Sequence, residues 1–395
     1  MMYELNLEQL LREHQTPFYL FDLGRVHQRV LFLQTVLPKN VSLCYAMKAN
    51  PFLVRTLSDD VERIEICSPG EYEICRRADV PPEKYVISGI YKEANWIEGL
   101  VQNQSSHMIY TVESMQQYEL LYASAQRYEK KIRILLRLTS GNQFGLEREQ
   151  IEMILTRHMD DPYLYIHGIQ YFSGTQKTSL KRLKQEVNQL DQWLMHLEHD
   201  QDITIQELEF GPGFPVSYFG EEDEEVPFLT EAAQILEEMR YSGKITLELG
   251  RSLVAGCGRY FTRVVDQKTN CAQRYAIVDG GMHHLVYYGQ NLAMRRPRIT
   301  VYPAHRGGDI QRWNICGALC TINDILIKQL PVCNLQTGDV LIFENTGAYC
   351  MTEGISLFLS RALPKVLLLL NDGRILAARE ATATWQLNAP PIGLI

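Results

Sequence analysis

The stretch Val41 to Pro51, VSLCYAMKANP, sets a lysine where an extended run gives way to a loop. Read at period two, Ser42, Cys44, Ala46 and Lys48 share one face, while Val41, Leu43, Tyr45 and Met47 share the other. The small-residue face suits a crowded barrel interior. Lys48 would then project from the strand's carboxyl end, and Pro51 limits continuation of the ladder. An amine placed there is a candidate nucleophile, although a charge that ends a strand is by default simply solvated. Other chemically selective residues follow later runs: Ser68-Pro69-Gly70-Glu71, Gly89 with Lys92, Arg137 ahead of Gln143-Phe144-Gly145, Phe172-Ser173-Gly174-Thr175-Gln176, Gly211-Pro212-Gly213 and Glu248-Leu249-Gly250-Arg251. Each alone is weak. A glycine-proline turn usually just turns the chain, and phosphate contact through backbone N–H groups is the sharper reading of Gly211 to Gly213.

Those residues follow eight short apolar runs, each succeeded by an amphipathic helical stretch. The runs are Val41 to Met47, Arg63 to Cys67, Tyr85 to Ser88, Met108 to Val112, Ile132 to Leu138, Tyr165 to Phe172, Glu207 to Phe210 and Lys244 to Leu249. Alternating elements imply a parallel sheet, and eight units of this spacing predict an α/β fold closed as a (β/α)₈ barrel, with a doubly wound open sheet as the alternative. Loops after barrel strands share one face, which would gather the candidate residues. Before the barrel, Thr16 to Asp22 reads as a buried edge strand entered through a proline. From about residue 258 the repeat stops, and Tyr260 to Val265, Arg274 to Val278, Ile315 to Leu319, Val340 to Phe343 and Val366 to Leu370 read as strands. Asp266, Gly338 and Asn371-Asp372-Gly373 supply turns between them. The expected domains are therefore a barrel over 22–257 and a C-terminal β domain over 258–395, joined by the N-terminal segment 1–21.

Composition bounds the function. The 395 residues are 46% apolar, and 39 basic against 47 acidic side chains leave a formal charge of −8 with no basic block, so nucleic acid is not an expected partner. The N-terminal MMYELNLEQLLREHQ has acids within its first apolar turns and is not a signal peptide, no apolar run reaches membrane-spanning length, and nine cysteines form no paired CxxC set. A soluble cytoplasmic protein with reduced thiols is expected. His196 and His199 lie three apart beside Glu198 and Asp200 on a solvated face, so no metal site is expected. The one basic cluster, Met294 to Arg298, is either a solvated loop or a carboxylate-binding site.

The ordered segments YAMKAN, SPGE, QFGL, SGTQ, GPGF, ELGR, VDGGM, CGALCTINDIL and GDVLIFENTGAY span nearly the whole chain and resemble the fold-type III pyridoxal-phosphate decarboxylases, the group holding ornithine, diaminopimelate and arginine decarboxylases. The resemblance implies an alanine-racemase-like barrel and pyridoxal 5'-phosphate as cofactor, held covalently by Lys48. Glu248 would pair with the pyridine nitrogen and keep it protonated, so that the ring withdraws electrons. Gly211 and Gly213 would present the phosphate turn, with Arg251 and Tyr349 completing the cradle. Cys320 would reach the partner subunit's site in a homodimer with shared active sites and return a proton after carbon dioxide leaves. Arg295 and Arg298 would be substrate contacts.

Three departures from the family's pattern narrow this. Phe172 stands where a histidine usually stacks on the cofactor. Pro212 interrupts the glycine triplet and has no N–H to donate. Thr321 stands where an acidic residue usually meets the substrate's distal ammonium. With DGGMHH, LCT and SGTQ, the chain is similar to the branch acting on glutamyl groups of acyl carrier proteins or on citryl-diaminopropionate. The leading expectation is therefore a decarboxylase of an amino acid or derivative, free or carrier-linked, in secondary-metabolite or siderophore synthesis. Diaminopimelate decarboxylase is the alternative. An amino-acid racemase of the same fold is disfavoured by Glu248 and by GALCTINDIL, and a cofactor-free regulatory decoy by the retained lysine and phosphate residues.

Overall fold

The computed structural model describes residues 5–103, 107–158, 161–220, 225–290, 293–304 and 307–390. The chain divides into two compact units.

The first comprises His27–Val216 and Glu224–Leu253. Its eight parallel strands close into a barrel: β2 (Val41–Ala46), β3 (Arg63–Ile66), β4 (Tyr85–Ile87), β5 (Ile109–Val112), β6 (Ile132–Leu138), β7 (Leu164–Phe172), β8 (Glu207–Gly211) and β9 (Lys244–Leu249), with β9 paired back to β2. All eight apolar runs became strands, and closure gives each of them a neighbour on both sides, as the barrel reading expects. Cys44, Val86, Ile109 and Leu135 form one buried cluster. The interior is also strongly polar. Arg63 on β3 makes a two-pronged ion pair with Glu207 on β8, and His167 Nε2 lies 2.8 Å from the same carboxylate. His167 and Gln170 are three residues apart yet both take part in interior pairs, because the β6–β7 register shifts between Ile134 and Leu135 and leaves His167 as the extra residue.

The second unit comprises Met1–Val26, Ser217–Asp223 and Val254–Ile395. It therefore takes in a short stretch, 217–223, that the sequence reading left with the barrel. Its strands are β1 (Phe18–Asp22), β10 (Gly258–Asn270), β11 (Gln273–Val278), β12 (Ile299–Tyr302), β13 (Ile310–Cys316), β14 (Ile325–Cys333), β15 (Val340–Glu344), β16 (Lys365–Leu369) and β17 (Ile375–Arg379). They run β14-β13-β11-β10-β1-β16-β17, with β15 joined to β10 and β12. β1 is not an edge strand. It pairs antiparallel with β10 and parallel with β16, and Phe18 stacks on Phe261 at 4.6 Å. Phe18, Leu20, Phe261, Val340, Ile342 and Leu367 belong to one core cluster.

Other local readings change for physical reasons. The run Ile315 to Leu319 is a strand only as far as Cys316. The buried Asp324 carboxylate accepts the N–H groups of Met282 and Leu319 at 2.7 and 2.8 Å, which draws the chain off the ladder, and a Cβ on Gly317 would come within 2.2 Å of it. Asp266 does not turn the chain but sits in β10 at a bulge. The β10–β11 connection is made by Cys271 and Ala272, both left-handed, at φ 49° and 61°. Gly338 and Gly373 do occupy left-handed turn positions.

Candidate active site

Lys48 leaves the end of β2 in a single 3₁₀ turn, Met47–Ala49, and Asn50 then caps the next turn by accepting the N–H of Phe52. Its Nζ lies 2.7 Å from Glu65 Oε2, 3.8 Å from Cys67 Sγ and 3.8 Å from Glu248 Oε1. Glu65 and Cys67 alternate with Arg63 along β3 and beyond, so one strand supplies the amine's acidic partner and the thiol beside it. After Cys67, Ser68 caps helix Pro69–Arg77 by accepting the Glu71 N–H, and Glu71 reaches back to accept the Cys67 N–H. This fixes the direction in which the chain leaves β3.

Two carboxyls compete for one amine, and their ionisation separates accordingly. Burial works to raise Glu65, but the nearby Lys48 charge and hydrogen bond outweigh it and hold this carboxyl below its usual range. Glu248 is as deeply buried, lies farther from the amine and faces Glu65 and Glu209. Burial, with those like charges, pushes it up to about 8. Gln170 joins Glu248 to Glu209: its Nε2 donates to Glu209 Oε1 at 2.7 Å and to Glu248 Oε2 at 3.3 Å.

Beside this cluster lies a turn that needs glycine. Gly213 has φ +64°, and a Cβ there would stand 2.1 Å from the Gly174 carbonyl oxygen, while one on Gly211 would stand 2.4 Å from the Phe172 ring. The two loops thus pack backbone to backbone, and the Lys177 N–H donates to the Gly213 carbonyl at 2.9 Å. Arg251 is buried, with Nε 3.4 Å from Thr175 Oγ1. Lys177 pairs with Glu186 at 2.7 Å and holds Ser173 in the same cluster.

The third group surrounds Lys92, which with Gly89 was among the chemically selective residues after the third run. It is buried and donates to Gly89 O, Thr111 Oγ1 and Gln117 Oε1 at 3.0 to 3.2 Å, and burial lowers its pKa to about 8. Arg137 pairs with Glu113 at 2.9 Å and lies 4.7 Å over the Phe144 ring.

The structure therefore brings Lys48 to Glu248, Phe172 to Gly211 and Gly213 to Gly174, with Arg251, at the start of the helix Arg251–Val254, reaching Thr175. The remaining candidates belong to the sheet unit. Cys320 is exposed in the turn between β13 and β14, next to Thr321, whose Oγ1 accepts the Asn323 N–H at 3.3 Å. Tyr349 is left-handed at φ 64° in the turn after β15. Arg295 is stacked 4.3 Å over Phe219, and the Arg298 guanidinium donates to Gly220 O and Ser217 Oγ. Sequence reasoning missed Glu65, Gln170 and Glu209. The signal for Glu65 and Glu209 was a carboxylate inside an apolar run, which an exposed position would also explain.

The site suits pyridoxal 5'-phosphate on structural grounds. An amine sits at the barrel's carboxyl end. A buried carboxyl that titrates near neutrality can share its proton with a ring nitrogen and stand as the carboxylate beside the protonated ring, and Thr175, Arg251 and the glycine backbone offer donors to a phosphate. Residues 23–262 match the family model described as pyridoxal-dependent decarboxylase, pyridoxal binding domain. The chain belongs to that family. It is 29% identical to the diaminopimelate decarboxylase of Helicobacter pylori over 97% of this chain and 98% of the relative. It is 24% identical to the L-glutamyl-[BtrI acyl-carrier protein] decarboxylase of Niallia circulans, covering 96% of each. The crystal structure of the H. pylori diaminopimelate decarboxylase complexed with L-lysine superimposes with a TM-score of 0.83 at 25% identity, over 97% of this chain and 99% of that one. This pyridoxal-dependent decarboxylase is thus a carboxy-lyase of amino acids with an alanine-racemase-like barrel. Among the described residues no helix is long and apolar enough to cross a membrane.

Proposed function

We propose that this decarboxylase removes the α-carboxyl group of an L-amino acid or amino-acid derivative whose distal end carries no free ammonium, in the synthesis of a secondary metabolite or siderophore. The observation that carries the reading is Thr321, a neutral hydroxyl beside the exposed Cys320. A distal ammonium taken from water without a carboxylate partner would cost on the order of kilocalories per mole.

Pyridoxal 5'-phosphate, when bound, would supply the electron sink for the electron pair left on the α-carbon as carbon dioxide departs. Lys48 anchors the cofactor, and Glu65, 2.7 Å away, orients its amine. Glu248 keeps the proton on the pyridine nitrogen. Phe172 would contact the cofactor ring, while Gly211, Gly213, Arg251 and Tyr349 would hold its phosphate. Cys320 returns a proton to the substrate's α-carbon, acting in the partner subunit's site of a homodimer. Arg295 and Arg298 attract the substrate's carboxylates.

Relatives named for a carrier-linked glutamyl substrate and for 2-[(L-alanin-3-ylcarbamoyl)methyl]-2-hydroxybutanedioate support a substrate with a neutral or acidic distal end. A second reading, diaminopimelate decarboxylase, is favoured by the 29% identity to the H. pylori enzyme. Carbon dioxide release separates them. Turnover of a carrier-bound glutamyl or citryl-linked amino acid, with little from meso-diaminopimelate, supports the first reading. Efficient turnover of meso-diaminopimelate replaces it with the second.

A further inference from the structure

Among the described residues, Glu209 is a barrel carboxyl with no evident task. It is fully buried on β8, and its Oε1 accepts a Gln170 N–H at 2.7 Å while its Oε2 has no hydrogen-bond partner. The nearest cation, Arg63, stands 3.7 Å from Oε2 and is already spent on both oxygens of Glu207. An ionised carboxylate left with a bare oxygen in a dry interior is strongly disfavoured, so the geometry favours the neutral acid. The groups facing it agree. Glu207 shares its strand, Glu65 and Arg63 come from β3, Cys44 from β2 and Glu248 from β9, while the charges of Lys48 and Arg137 act on Glu248. Three carboxyls, Glu207, Glu65 and Glu248, act on it against the single cation Arg63, and burial pushes Glu209 up to about 7.

Gln170 then has a defined use. An amide has two N–H donors, and here one goes to Glu209 and the other to Glu248. Its Oε1 has no partner, so no bond at that end fixes which way the amide faces. Without Glu209 the second N–H could turn away from Glu248.

We propose that Glu209 is a positioning residue for Glu248: held as the neutral acid, it locks the Gln170 amide so that one N–H always faces the Glu248 carboxyl at the cofactor end of the barrel. The proposal rests on the reading of Glu248 as the partner of the pyridine nitrogen, and the test keeps the two apart.

Infrared difference spectra of the holoenzyme, Glu209→Gln minus wild type at about pH 6, report the protonation state without reference to turnover. Loss of a protonated-carboxyl C=O band is expected, whereas loss of carboxylate bands alone overturns the proposal. In kinetics, Glu209→Gln should hold kcat within about threefold, whereas Glu209→Leu and Gln170→Leu should each lower kcat about tenfold or more at nearly unchanged KM. A purely structural role would penalise the glutamine and leucine variants alike, and that result overturns the proposal too. Should the Glu209 variants not fold, Gln170→Leu decides alone, and an unchanged kcat refutes the role. Failure of the Glu248 reading shows separately, as undiminished turnover in Glu248→Gln.

Discussion

Lys48 Nζ and Glu65 Oε2 stand 2.7 Å apart, closer than the amine stands to Glu248, so the lysine is oriented by the second barrel strand and not by the acid of the ELGR segment. Only the amine is partly open, at 42% exposure against 2% for the Glu65 side chain. The charge that must be satisfied when Lys48 is consumed is therefore the buried one. Lys48→Ala should abolish turnover and the yellow, borohydride-sensitive chromophore. Glu65→Gln should keep the chromophore but lower kcat/KM about ten- to a hundredfold, since an orienting charge-assisted bond is lost while the nucleophile remains. Absorbance spectra and steady-state rates check both, and a borohydride-reducible adduct on Lys92 in Lys48→Ala would move the anchor.

Glu248→Gln should separate binding from chemistry. The phosphate contacts are untouched, so cofactor content should stay near wild type while kcat falls by roughly two or more orders of magnitude. Near-normal kcat would make Glu248 a buried, satisfied carboxyl.

Gly213→Ala should be costly in proportion to its geometry. The left-handed φ of +64° costs a residue with a Cβ about 1 kcal/mol, and the Cβ would also meet a backbone oxygen at 2.1 Å. The loops 172–176 and 211–213 must then separate. A lower melting temperature together with weaker cofactor retention is expected, measured by calorimetry and by titration with pyridoxal 5'-phosphate.

What the sequence showed of this arrangement, and what it hid, follows from the range of the interactions. Lys48, Gly213 and Arg251 were legible because each follows an apolar run, and a parallel barrel turns that position into a shared face, whereas Glu248, inside its run, was legible only through the resemblance of the ELGR segment. Glu65 and Glu209 were not, because a carboxylate within a run reads as a solvated charge until the strands opposite supply Lys48, Gln170 and Arg63. His167 was hidden by a bulge that breaks period two. The central place of β1 depends on partners more than two hundred residues away, which no local pattern encodes.

The sheet unit should be sensitive to acid. His283 and His284 are buried against one another, ring centroids 3.7 Å apart, and burial lowers them to about 3 and about 4. Their folded-state values lie below the unfolded value near 6.5, so the unfolded chain takes up protons first. The stability they support is present above about pH 6.5 and is lost as pH falls toward about 4. Melting temperature should fall steeply across that window, and His283→Gln should flatten the slope by about one proton. An unchanged slope would assign the acid sensitivity elsewhere.

The final prediction concerns the turn that carries Cys320 and Thr321. Asp324 fixes it from below by accepting the Met282 and Leu319 N–H groups, yet Cys320 is exposed and Ile322 is 91% exposed. An isoleucine held in water on a well-fastened turn suits a surface that a second copy covers. If Cys320 works in the partner's barrel, each site of a dimer is built from two chains. Lys48→Ala and Cys320→Ala homodimers should each be impaired. Mixed and allowed to exchange, they should regain up to about a quarter of wild-type activity, because half the dimers are hybrids and one of the two sites in each hybrid has both wild-type residues. No regain, with exchange verified by a tagged subunit, would confine Cys320 to its own chain. Thr321→Glu tests the substrate end of the same turn: a carboxylate there should improve turnover of ornithine, lysine or diaminopimelate relative to the unmodified enzyme, by offsetting the desolvation of the distal ammonium. Equal rates in the two proteins would take Thr321 out of substrate selection.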